Sequence, residues 1–411
     1  MREHNSKLRL LLLSEDKYPP FRSDVKILFG KEIAGRGHHI DWILQSDDDC
    51  ERSYKTTWYG CRVWVGKTNN GTSRVARLKK HIYSIQSDLR MFSLLRKGRY
   101  DFIQVKDKFI SALFAIIAAR RFKTKFIYWL SYPHPEDYLY KVKTGTARYP
   151  IFYYFGGLAL KVLLYRIILP SAEHIFVQSE QMKKDVADHG IKTRKMTAIP
   201  MGVSLESFPH EQNKQFPEML KGKHNLVYIG TLVKVRRIDF LVRVLERVRR
   251  KSPETVLYLV GDGDDPSDRD VIIKESSRLG IDPFVIITGF LSQDQALAYV
   301  AKADVCISPF YPTPILNSTS PTKLIEYMAM ARPVVANDHP EQRLVINESQ
   351  GGYCVPYDEQ AFAEAIISIL EDPNAAAEMG QRGRRYVEQK RDYKSIADKV
   401  EADYLRLCGA G

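Results

Sequence analysis

Short apolar runs alternate with stretches of helical periodicity along this chain. In the first half, apolar runs at residues 8–13, 40–44, 101–107 and 125–130 predict buried strands, since each run is short and is bounded by polar or turn-forming residues. A periodic segment at 24–34 predicts a helix between the first two runs. Strands that alternate with helices in this way predict an α/β fold built on parallel sheets.

The second half shows the same alternation. An apolar run at 226–231 contains a glycine near its end, and a periodic helix is predicted to follow from Ile238 to about Arg250. With 411 residues, the chain is longer than one hydrophobic core usually organises, so the pattern predicts two doubly wound domains. We place an N-terminal domain at 1–209, a polar linker at 210–223, a C-terminal domain at 224–389 and a final helical segment at 390–411.

Residues 317–338 read as a loop, a short helix and a buried strand. Ser320 is predicted to cap the helix and Pro321 to take its first position, which leaves free backbone N–H groups beside the ammonium of Lys323. Glu326 follows about one turn later, where its carboxylate would reach the hydroxyls of a ribose. The segment therefore predicts a pocket for a nucleotide diphosphate. An ordinary capped helix with two surface charges is the alternative.

Basic residues follow the strand predicted at 226–231. Lys234, Arg236 and Arg237 lie between this strand and the next helix, where cations oppose the helix dipole unless an anion is bound. In open α/β sheets, ligands bind beyond the carboxyl ends of the strands, and the planar guanidinium group of arginine suits phosphate oxygens. This segment is therefore predicted to face the same anion.

Together, these segments resemble the C-terminal half of glycosyltransferase family 4, also called glycosyl transferases group 1. The resemblance spans about residues 225–372 and depends on several motifs that occur in the family's order. These motifs lie at 226–237, 256–263, 287–290, 303–309, 321–329 and 332–336. The first half resembles the family less closely, because a proline-rich loop at 18–21 follows its first strand where family members usually have a glycine-rich one.

The resemblance implies a GT-B fold, in which two Rossmann-like domains of doubly wound parallel sheet face each other across a cleft. It also implies that the last helix returns to the first domain. The implied activity is a retaining sugar transfer from a nucleotide-diphosphate donor, with no cofactor and no metal, because basic groups and a helix start hold the diphosphate. Uridine is the commoner base in the family, which favours a UDP-sugar over a GDP-sugar.

The resemblance also assigns individual residues. Arg236 stands where the family has its phosphate-binding lysine, and with Lys323 it is expected to stabilise the departing diphosphate. Thr231 replaces a common arginine, and Ser318 replaces the first glutamate of the Glu-x7-Glu motif, which contacts the donor sugar in the family. Glu326 is the second glutamate of that motif. The implied donor site consists of Gly230, Thr231, Arg236, Gly261, Phe290, Ser318, Thr319, Ser320, Pro321, Thr322, Lys323 and Glu326.

A candidate acceptor site follows the strand predicted at 125–130. The loop at 131–137 contains His134, Glu136 and Asp137, each of which is able to take a proton from an attacking hydroxyl. Because His134 lies between two prolines, a rigid turn without a catalytic role is the alternative interpretation.

Positive charge is concentrated in the first half. The chain has 62 Lys and Arg against 49 Asp and Glu, a net charge of +13, and residues 1–200 hold 36 of the basic and 19 of the acidic residues. Between Arg62 and Arg99, ten basic residues accompany the single acid Asp88 in a segment with helical spacing. This pattern predicts binding to an anionic membrane surface, with a solvated face as the alternative. Nucleic acid is not favoured, since no nucleic-acid module accompanies the charge.

The apolar segment 151–170 is nearly long enough to cross a bilayer, but Lys161 and Arg166 argue against spanning. Contact with the membrane interface is predicted, and an ordinary surface helix is the alternative. Membrane contact would make the acceptor a lipid-linked glycan, as in polysaccharide or glycolipid biosynthesis. Five scattered cysteines and the lack of a signal-peptide pattern predict a cytoplasmic, peripherally membrane-associated protein.

Two other functions use the same architecture. A sugar-nucleotide epimerase would convert its substrate without an acceptor, and a catalytically silent scaffold would only bind partners at a membrane. The aspartates at 262–270 are interpreted as a polar loop rather than a metal site, because they follow a strand and match the family's Gly-Asp-Gly turn.

Overall fold

The computed structural model describes residues 7–71, 73–208 and 224–409, and for residue 74 only the backbone. The linker predicted at 210–223 lies outside the described residues. The chain divides into two compact units. Unit 1 comprises Met1–Pro200 and Tyr393–Gly411, and unit 2 comprises Met201–Asp392.

The strands of unit 1 are β1 (Arg9–Tyr18), β2 (His39–Ser46), β3 (Tyr54–Trp58), β4 (Cys61–Gly66), β5 (Phe102–Lys106), β6 (Lys125–Leu130), β7 (His174–Val177) and β8 (Met196–Ala198). They form one sheet in the order β3-β4-β2-β1-β5-β6-β7-β8. Neighbouring strands pair in parallel except in the β3–β4 hairpin. The sheet is therefore the parallel, doubly wound type that the sequence predicted.

The α-helices of unit 1 are α1 (Arg74–Asp88), α2 (Arg90–Lys97), α3 (Phe109–Phe122), α4 (His134–Lys143), α5 (Pro150–Val162), α6 (Leu169–Ser171) and α7 (Glu180–Asp188). Asp24–Ile33 and Leu163–Ile168 are π-helical, and the second of these joins α5 to α6. The last helix of the chain, Tyr393–Gly409, also belongs to unit 1. Its Tyr404 hydroxyl donates to Gln104 of β5 at 2.5 Å.

The strands of unit 2 are β9 (His224–Ile229), β10 (Thr255–Val260), β11 (Val285–Ile287), β12 (Val305–Ser308), β13 (Val334–Asn337) and β14 (Gly352–Val355). They form an all-parallel sheet in the order β11-β10-β9-β12-β13-β14. Its helices are α8 (Asp239–Lys251), α9 (Pro266–Leu279), α10 (Gln293–Val300), α11 (Pro314–Asn317), α12 (Thr322–Ala329), α13 (Pro340–Ser349), α14 (Glu359–Glu371) and α15 (Pro373–Tyr386); α16 is the Tyr393–Gly409 helix of unit 1.

Each sheet is buried on both faces, which explains why its strands read as continuous apolar runs. In β1, Leu11 and Leu13 pack in the hydrophobic core on one face, whereas Leu10 and Leu12 pack in the core on the other. Unit 2 repeats this arrangement with a core on each side of its own sheet.

Three local features differ from the expectations. The β3–β4 hairpin was not predicted, and the periodic segment after it is two helices that join at Leu89. The loop expected at 131–137 instead contains the start of α4 at His134. Pro135 sits in the first turn of α4 and two acids follow it, and both features favour a helix start.

Candidate functional site

The strand order of unit 2 reverses between β9 and β12, which are neighbours in the sheet. Loops that leave two such strands open a crevice at their carboxyl ends, where ligands bind in sheets of this type. The loop after β9 holds Gly230 to Arg236, and the chain after β12 leads through α11 to the start of α12. The fold therefore brings the two segments that the sequence singled out to one place.

Tyr228, Arg236 and Lys323 meet at this crevice and are called the cationic cluster. The Lys323 ammonium lies 4.1 Å from the centroid of the Tyr228 ring and 5.2 Å from that of Phe310. The charges of Lys323 and Arg236 both act on the Tyr228 hydroxyl, which itself donates to the Thr231 carbonyl at 3.3 Å. The two predicted cations thus converge on one buried tyrosine.

The cationic cluster holds two positive charges close together in a largely buried place. Lys323 is 8% exposed, and burial lowers the pKa of its ammonium because a low-dielectric surrounding disfavours the charged form. Burial acts to raise the pKa of Tyr228, but the charges of Lys323 and Arg236 outweigh this effect and lower that pKa. An anion bound beside the cluster would offset the cost of burying these cations.

Gly230 and Gly261 allow the backbone to approach the cluster closely. Their φ angles are 141° and 150°, in the region that favours glycine. A Cβ at position 261 would lie 2.0 Å from the Gly230 carbonyl oxygen, and a Cβ at position 230 would lie 3.4 Å from the Lys323 ammonium. Larger residues at these positions would push the strand ends apart or crowd the ammonium.

Glu326 is half-buried and lies three residues after Lys323 in α12. The amide of Gln293 donates to its carboxylate at 3.5 Å. Burial raises the pKa of the Glu326 carboxyl. A ligand that donates hydrogen bonds to this carboxylate would replace the water that burial removes, and ribose hydroxyls are donors of this kind.

The start of α12 differs from the prediction. Pro321 precedes the helix, Thr322 is its first residue, and among the described residues no side chain caps it. Ser320, the predicted cap, instead accepts a hydrogen bond from the backbone N–H of Met201 at 2.9 Å. Because Ser320 is occupied in this way, the first N–H groups of α12 remain available to the oxygens of a ligand.

The other residues of the predicted donor site have different environments. Ser318 is buried at the end of α11, and Thr319 donates its hydroxyl to the Leu316 carbonyl at 2.7 Å. The Phe290 ring is 65% exposed. Ser318 and Thr319 therefore belong to the packing of the loop, whereas Phe290 presents an open aromatic surface.

The acidic loop after β10 has structural roles. Asp262 forms an ion pair with Arg269, and this hydrogen bond lowers the pKa of the Asp262 carboxyl. Asp265 and Asp268 form the capping box at the start of α9. These carboxylates are thus engaged by the protein itself.

Unit 1 contains a cavity of about 560 Å³, here named the unit 1 cavity. It lies beyond the carboxyl ends of β1 and β5, the neighbouring strands at which the order of this sheet reverses. Its lining combines charged, polar and apolar side chains, including Lys80, Glu15, Asp107, Ile85, Phe109 and Leu160. Two further lysines of the lining, Lys17 and Lys108, form ion pairs with Asp47 and Asp88. The unit 1 cavity therefore suits a ligand with both a hydrogen-bonding polar part and an apolar part.

Of the three predicted proton acceptors, His134 lines the unit 1 cavity. Its Nε2 lies 3.9 Å from the carboxylate of Glu15, which also lines the cavity. The imidazole ring packs against Tyr132 and Phe109, with centroid distances of 5.0 and 6.0 Å. A base at His134 would therefore be oriented by Glu15 and by two rings.

Glu136 and Asp137, the other two predicted proton acceptors, do not line the unit 1 cavity. Glu136 accepts a hydrogen bond from the Tyr165 hydroxyl at 3.1 Å and lies 3.5 Å from the His189 ring nitrogen. Asp137 accepts from Lys141 at 2.6 Å, one turn further along α4. Successive residues of a helix point in different directions, so the helical start of α4 separates these carboxylates from His134.

Sequence reasoning missed Tyr228 and Glu15. Tyr228 lies inside an apolar run and reads as a core residue, although its position two residues before Gly230 puts it on the same face of the strand as that glycine. Glu15 follows the apolar part of β1, at the strand end where ligands are expected. The alternation of side chains along a strand could have indicated Tyr228, and the position at a strand end could have indicated Glu15.

Two family models match the chain. The model described as glycosyl transferases group 1 matches residues 223–372, and the model described as glycosyl transferase 4-like domain matches residues 29–202. The first match contains the cationic cluster and Glu326, and the second contains most of the unit 1 cavity.

Two curated proteins show similarity over part of the chain. The glycogen synthase of Mycobacterium tuberculosis is 23% identical over 240 residues, which are 58% of this chain and 55% of that protein. The GDP-mannose-dependent alpha-(1-6)-phosphatidylinositol monomannoside mannosyltransferase of Mycolicibacterium smegmatis is 28% identical over 197 residues, 46% of this chain and 50% of that protein. The chain thus spans about half the length of these relatives.

Two solved structures match nearly the whole chain. Sucrose-phosphate synthase from Thermosynechococcus elongatus has a TM-score of 0.73 at 20% identity, covering 98% of this chain and 100% of that one. The Anabaena HepE protein in complex with UDP has a TM-score of 0.65 at 14% identity, covering 96% and 99%. At such identities the likeness concerns the fold, and it confirms the predicted two-domain GT-B class.

Proposed function

This chain belongs to the glycosyl transferases group 1 family, and from that membership we propose that it is a retaining glycosyltransferase with a nucleotide-diphosphate sugar as donor. We assign the donor to unit 2 and the acceptor, a lipid-linked glycan, to the unit 1 cavity. The proposed setting is the cytoplasmic surface of a membrane, in the synthesis of a polysaccharide or a glycolipid.

The observation that carries the proposal is the cationic cluster. Lys323 is buried and Arg236 half-buried around the Tyr228 hydroxyl, at the start of an uncapped helix, and a diphosphate fits such an arrangement by charge. Glu326 then lies where a ribose would follow the diphosphate. We propose UDP as the nucleotide, which agrees with the UDP bound by the Anabaena structure.

The proposed chemistry uses this charge in the step that breaks the anomeric bond. The bond between the anomeric carbon and the diphosphate oxygen breaks, its electron pair leaves with the diphosphate, and negative charge grows beside Arg236 and Lys323. Donors fixed where charge develops are typically worth about 10²–10³ in rate. An acceptor hydroxyl then attacks from the face that the diphosphate leaves, and its proton passes to the departing diphosphate oxygen, so that the configuration is retained. The two side chains supply the positive charge, so the proposal includes no cofactor.

The unit 1 cavity and a helix beside it support a lipid-linked acceptor. The helical stretch Pro150–Ser171 is long and apolar enough to cross a membrane by length and composition, and 22% of its most apolar window is buried. Phe152 and Phe155 on this stretch are 69% and 65% exposed, while Lys161 and Arg166 disfavour spanning. Leu160 of the same stretch lines the unit 1 cavity. Membrane docking by this helix would therefore bring lipid headgroups to the cavity.

The function is tested with purified full-length protein, a panel of nucleotide sugars, and membrane lipid extract added or omitted. We expect nucleoside diphosphate to be released with one sugar nucleotide, mainly when lipid is present, and the sugar to appear on a lipid-extractable product. A converted sugar nucleotide without diphosphate release would identify an epimerase. Absence of any turnover across the panel would contradict the transferase and favour the scaffold.

Membrane docking is tested by the double substitution Phe152→Ser and Phe155→Ser. Removing two exposed rings should weaken sedimentation with anionic vesicles at least about tenfold, since each ring contributes apolar area at the interface. The matched control is Val271→Ser with Ile273→Ser, which removes two exposed apolar side chains from unit 2. Equal vesicle binding by the two double variants would refute docking through this helix and leave the transferase proposal standing.

Glu326→Gln tests the proposed ribose contact. An amide keeps the shape but loses the charge that strengthens hydrogen bonds from hydroxyls, so we expect KM for the sugar nucleotide to rise about tenfold while kcat changes little. Steady-state kinetics at varied donor concentration measure this. The control is Glu364→Gln on the exposed face of α14. A donor KM within about twofold of the parent protein would remove Glu326 from the donor site.

A further inference from the structure

A second concentration of positive charge lies in unit 1, near the amino-terminal end of β1. The unit 1 cavity lies beyond the carboxyl end of the same strand. At this place is a cavity of about 480 Å³, which we name the basic pocket. Its lining includes five cationic side chains: Arg9, Lys55, Arg62, Arg90 and Lys97. Arg9 is the first residue of β1, whereas the unit 1 cavity lies beyond the last residues of that strand and of β5. The basic pocket is therefore separate from the unit 1 cavity, and it shares no residue with the proposed donor site.

The fold gathers these five cations from three places. In the β3–β4 hairpin, Lys55 pairs directly with Trp64, and Arg62 precedes Trp64 by two residues, so all three project from one face of the sheet. Arg90 and Lys97 lie seven residues apart in α2, which puts them on one side of that helix. Regular strand and helix geometry thus aims the cations at one cavity.

The basic pocket has almost no negative charge of its own. Asp41 accepts two hydrogen bonds from the Arg62 guanidinium, at 2.7 and 2.6 Å, and a third from the buried Tyr100 hydroxyl. Within residues 7–71, 73–208 and 224–409, no carboxylate forms an ion pair with Arg9, Lys55, Arg90 or Lys97. These cations repel one another, and an anion in the pocket would relieve that repulsion.

The aromatic residues of the pocket indicate which anion fits. The Lys55 ammonium and the Arg90 guanidinium lie 5.1 and 4.8 Å from the centroid of Trp64, and the Arg9 guanidinium lies 5.4 Å from that of Tyr100. Cations already cover these rings, so the rings do not offer stacking surfaces to a nucleotide base or to single-stranded nucleic acid. The pocket offers concentrated charge and guanidinium donors, which suit the oxygens of a phosphate group.

We propose that the basic pocket binds the phosphate group of a phosphate ester, at a site distinct from the donor diphosphate site. Arg62 is oriented in advance by Asp41, which the Tyr100 hydroxyl holds in place, and Lys55 and Arg90 are positioned against Trp64. The ester's source is either a soluble phosphorylated metabolite or the headgroup of a phosphomonoester lipid, and both present the same terminal phosphate group.

The test compares three full-length proteins by isothermal titration with sn-glycerol 3-phosphate. These are the parent protein, the pocket variant Lys55→Gln with Arg90→Gln, and the control Arg120→Gln with Lys184→Gln. The control removes the same charge from exposed positions of unit 1. We expect the pocket variant to bind at least about tenfold more weakly, or with one site fewer, and the control to match the parent protein. Identical isotherms for the parent protein and the pocket variant would overturn the proposal.

A second arm distinguishes the two sources of phosphate. Vesicles of phosphatidylcholine with and without phosphatidic acid are sedimented with the pocket variant and with the control. A lipid ligand predicts that only the pocket variant loses the binding due to phosphatidic acid, whereas a soluble ligand predicts equal sedimentation of both variants. Circular dichroism and an unchanged thermal midpoint of the pocket variant exclude misfolding. The outcome does not depend on the transferase proposal, because glycerol 3-phosphate binding is measured directly.

Discussion

Arg236→Ala is expected to lower kcat/KM for sugar transfer by about 10²–10³-fold, because a fixed cation beside the departing diphosphate is worth about that much in rate. Arg236 and Lys323 both place positive charge beside the Tyr228 hydroxyl, so the alanine removes one of the two charges that the diphosphate would meet. The rate is measured as acceptor-dependent release of nucleoside diphosphate. The loss should appear mainly in kcat, since the charge on the diphosphate is larger after bond cleavage than before it.

Two further variants make this result specific. Arg236→Lys keeps the charge but loses the planar fork, so we expect it to recover part of the rate. Lys251→Ala removes an exposed cation from the end of α8 and should leave the rate unchanged. Arg236 is half-buried at the end of a short 3₁₀ turn, so its truncation should change the thermal midpoint little. Turnover of Arg236→Ala within about threefold of the parent protein would remove Arg236 from the transferase site.

The proposed donor site was suggested by the sequence because its cations lie next to features that the sequence pattern predicts. Arg236 follows a buried strand, and Lys323 follows a proline at a helix start, and the parallel order of the sheet then brings strand ends together. Tyr228 could not be assigned in the same way, since a tyrosine in an apolar run is normally a core residue. Its role depends on two cations from distant segments that meet only in the fold.

The proposed acceptor site shows where the local sequence is insufficient. His134, Glu136 and Asp137 are adjacent in the sequence, yet only His134 lines the unit 1 cavity. The helix start at His134 rotates the two carboxylates toward Tyr165 and Lys141. Ser320 was likewise predicted to cap α12, but its hydroxyl accepts a hydrogen bond from the backbone N–H of Met201, more than a hundred residues away in the sequence. Long-range partners of this kind leave no periodic signal in the sequence.

Burial of Lys323 predicts a conflict between stability and activity. Its pKa is lowered in the folded protein, so between that pKa and the ordinary value of 10.5 the unfolded chain binds more protons than the folded one. The contribution of Lys323 to stability therefore rises with pH through this window, and at neutral pH the buried charge destabilises the free protein. A bound diphosphate would favour the charged form and reverse this effect.

Lys323→Met is accordingly expected to lower kcat by about 10²–10³-fold while the thermal midpoint of the free protein stays the same or rises. Methionine fills a similar volume without a charge. The stabilisation by UDP should shrink in this variant, because the diphosphate loses a buried partner. The parent protein's kcat/KM should fall with rising pH below 10.5, and this fall should be absent in the variant.

The control for this last prediction is Lys274→Met, which replaces an exposed lysine on α9. It should change neither the thermal midpoint with UDP nor the pH profile. If Lys323→Met instead lowered the midpoint of the free protein and kept most of the turnover, Lys323 would be a structural residue. The positive charge at the start of α12 would then come from the backbone N–H groups. In that case the proposed donor site would depend on the side-chain charge of Arg236.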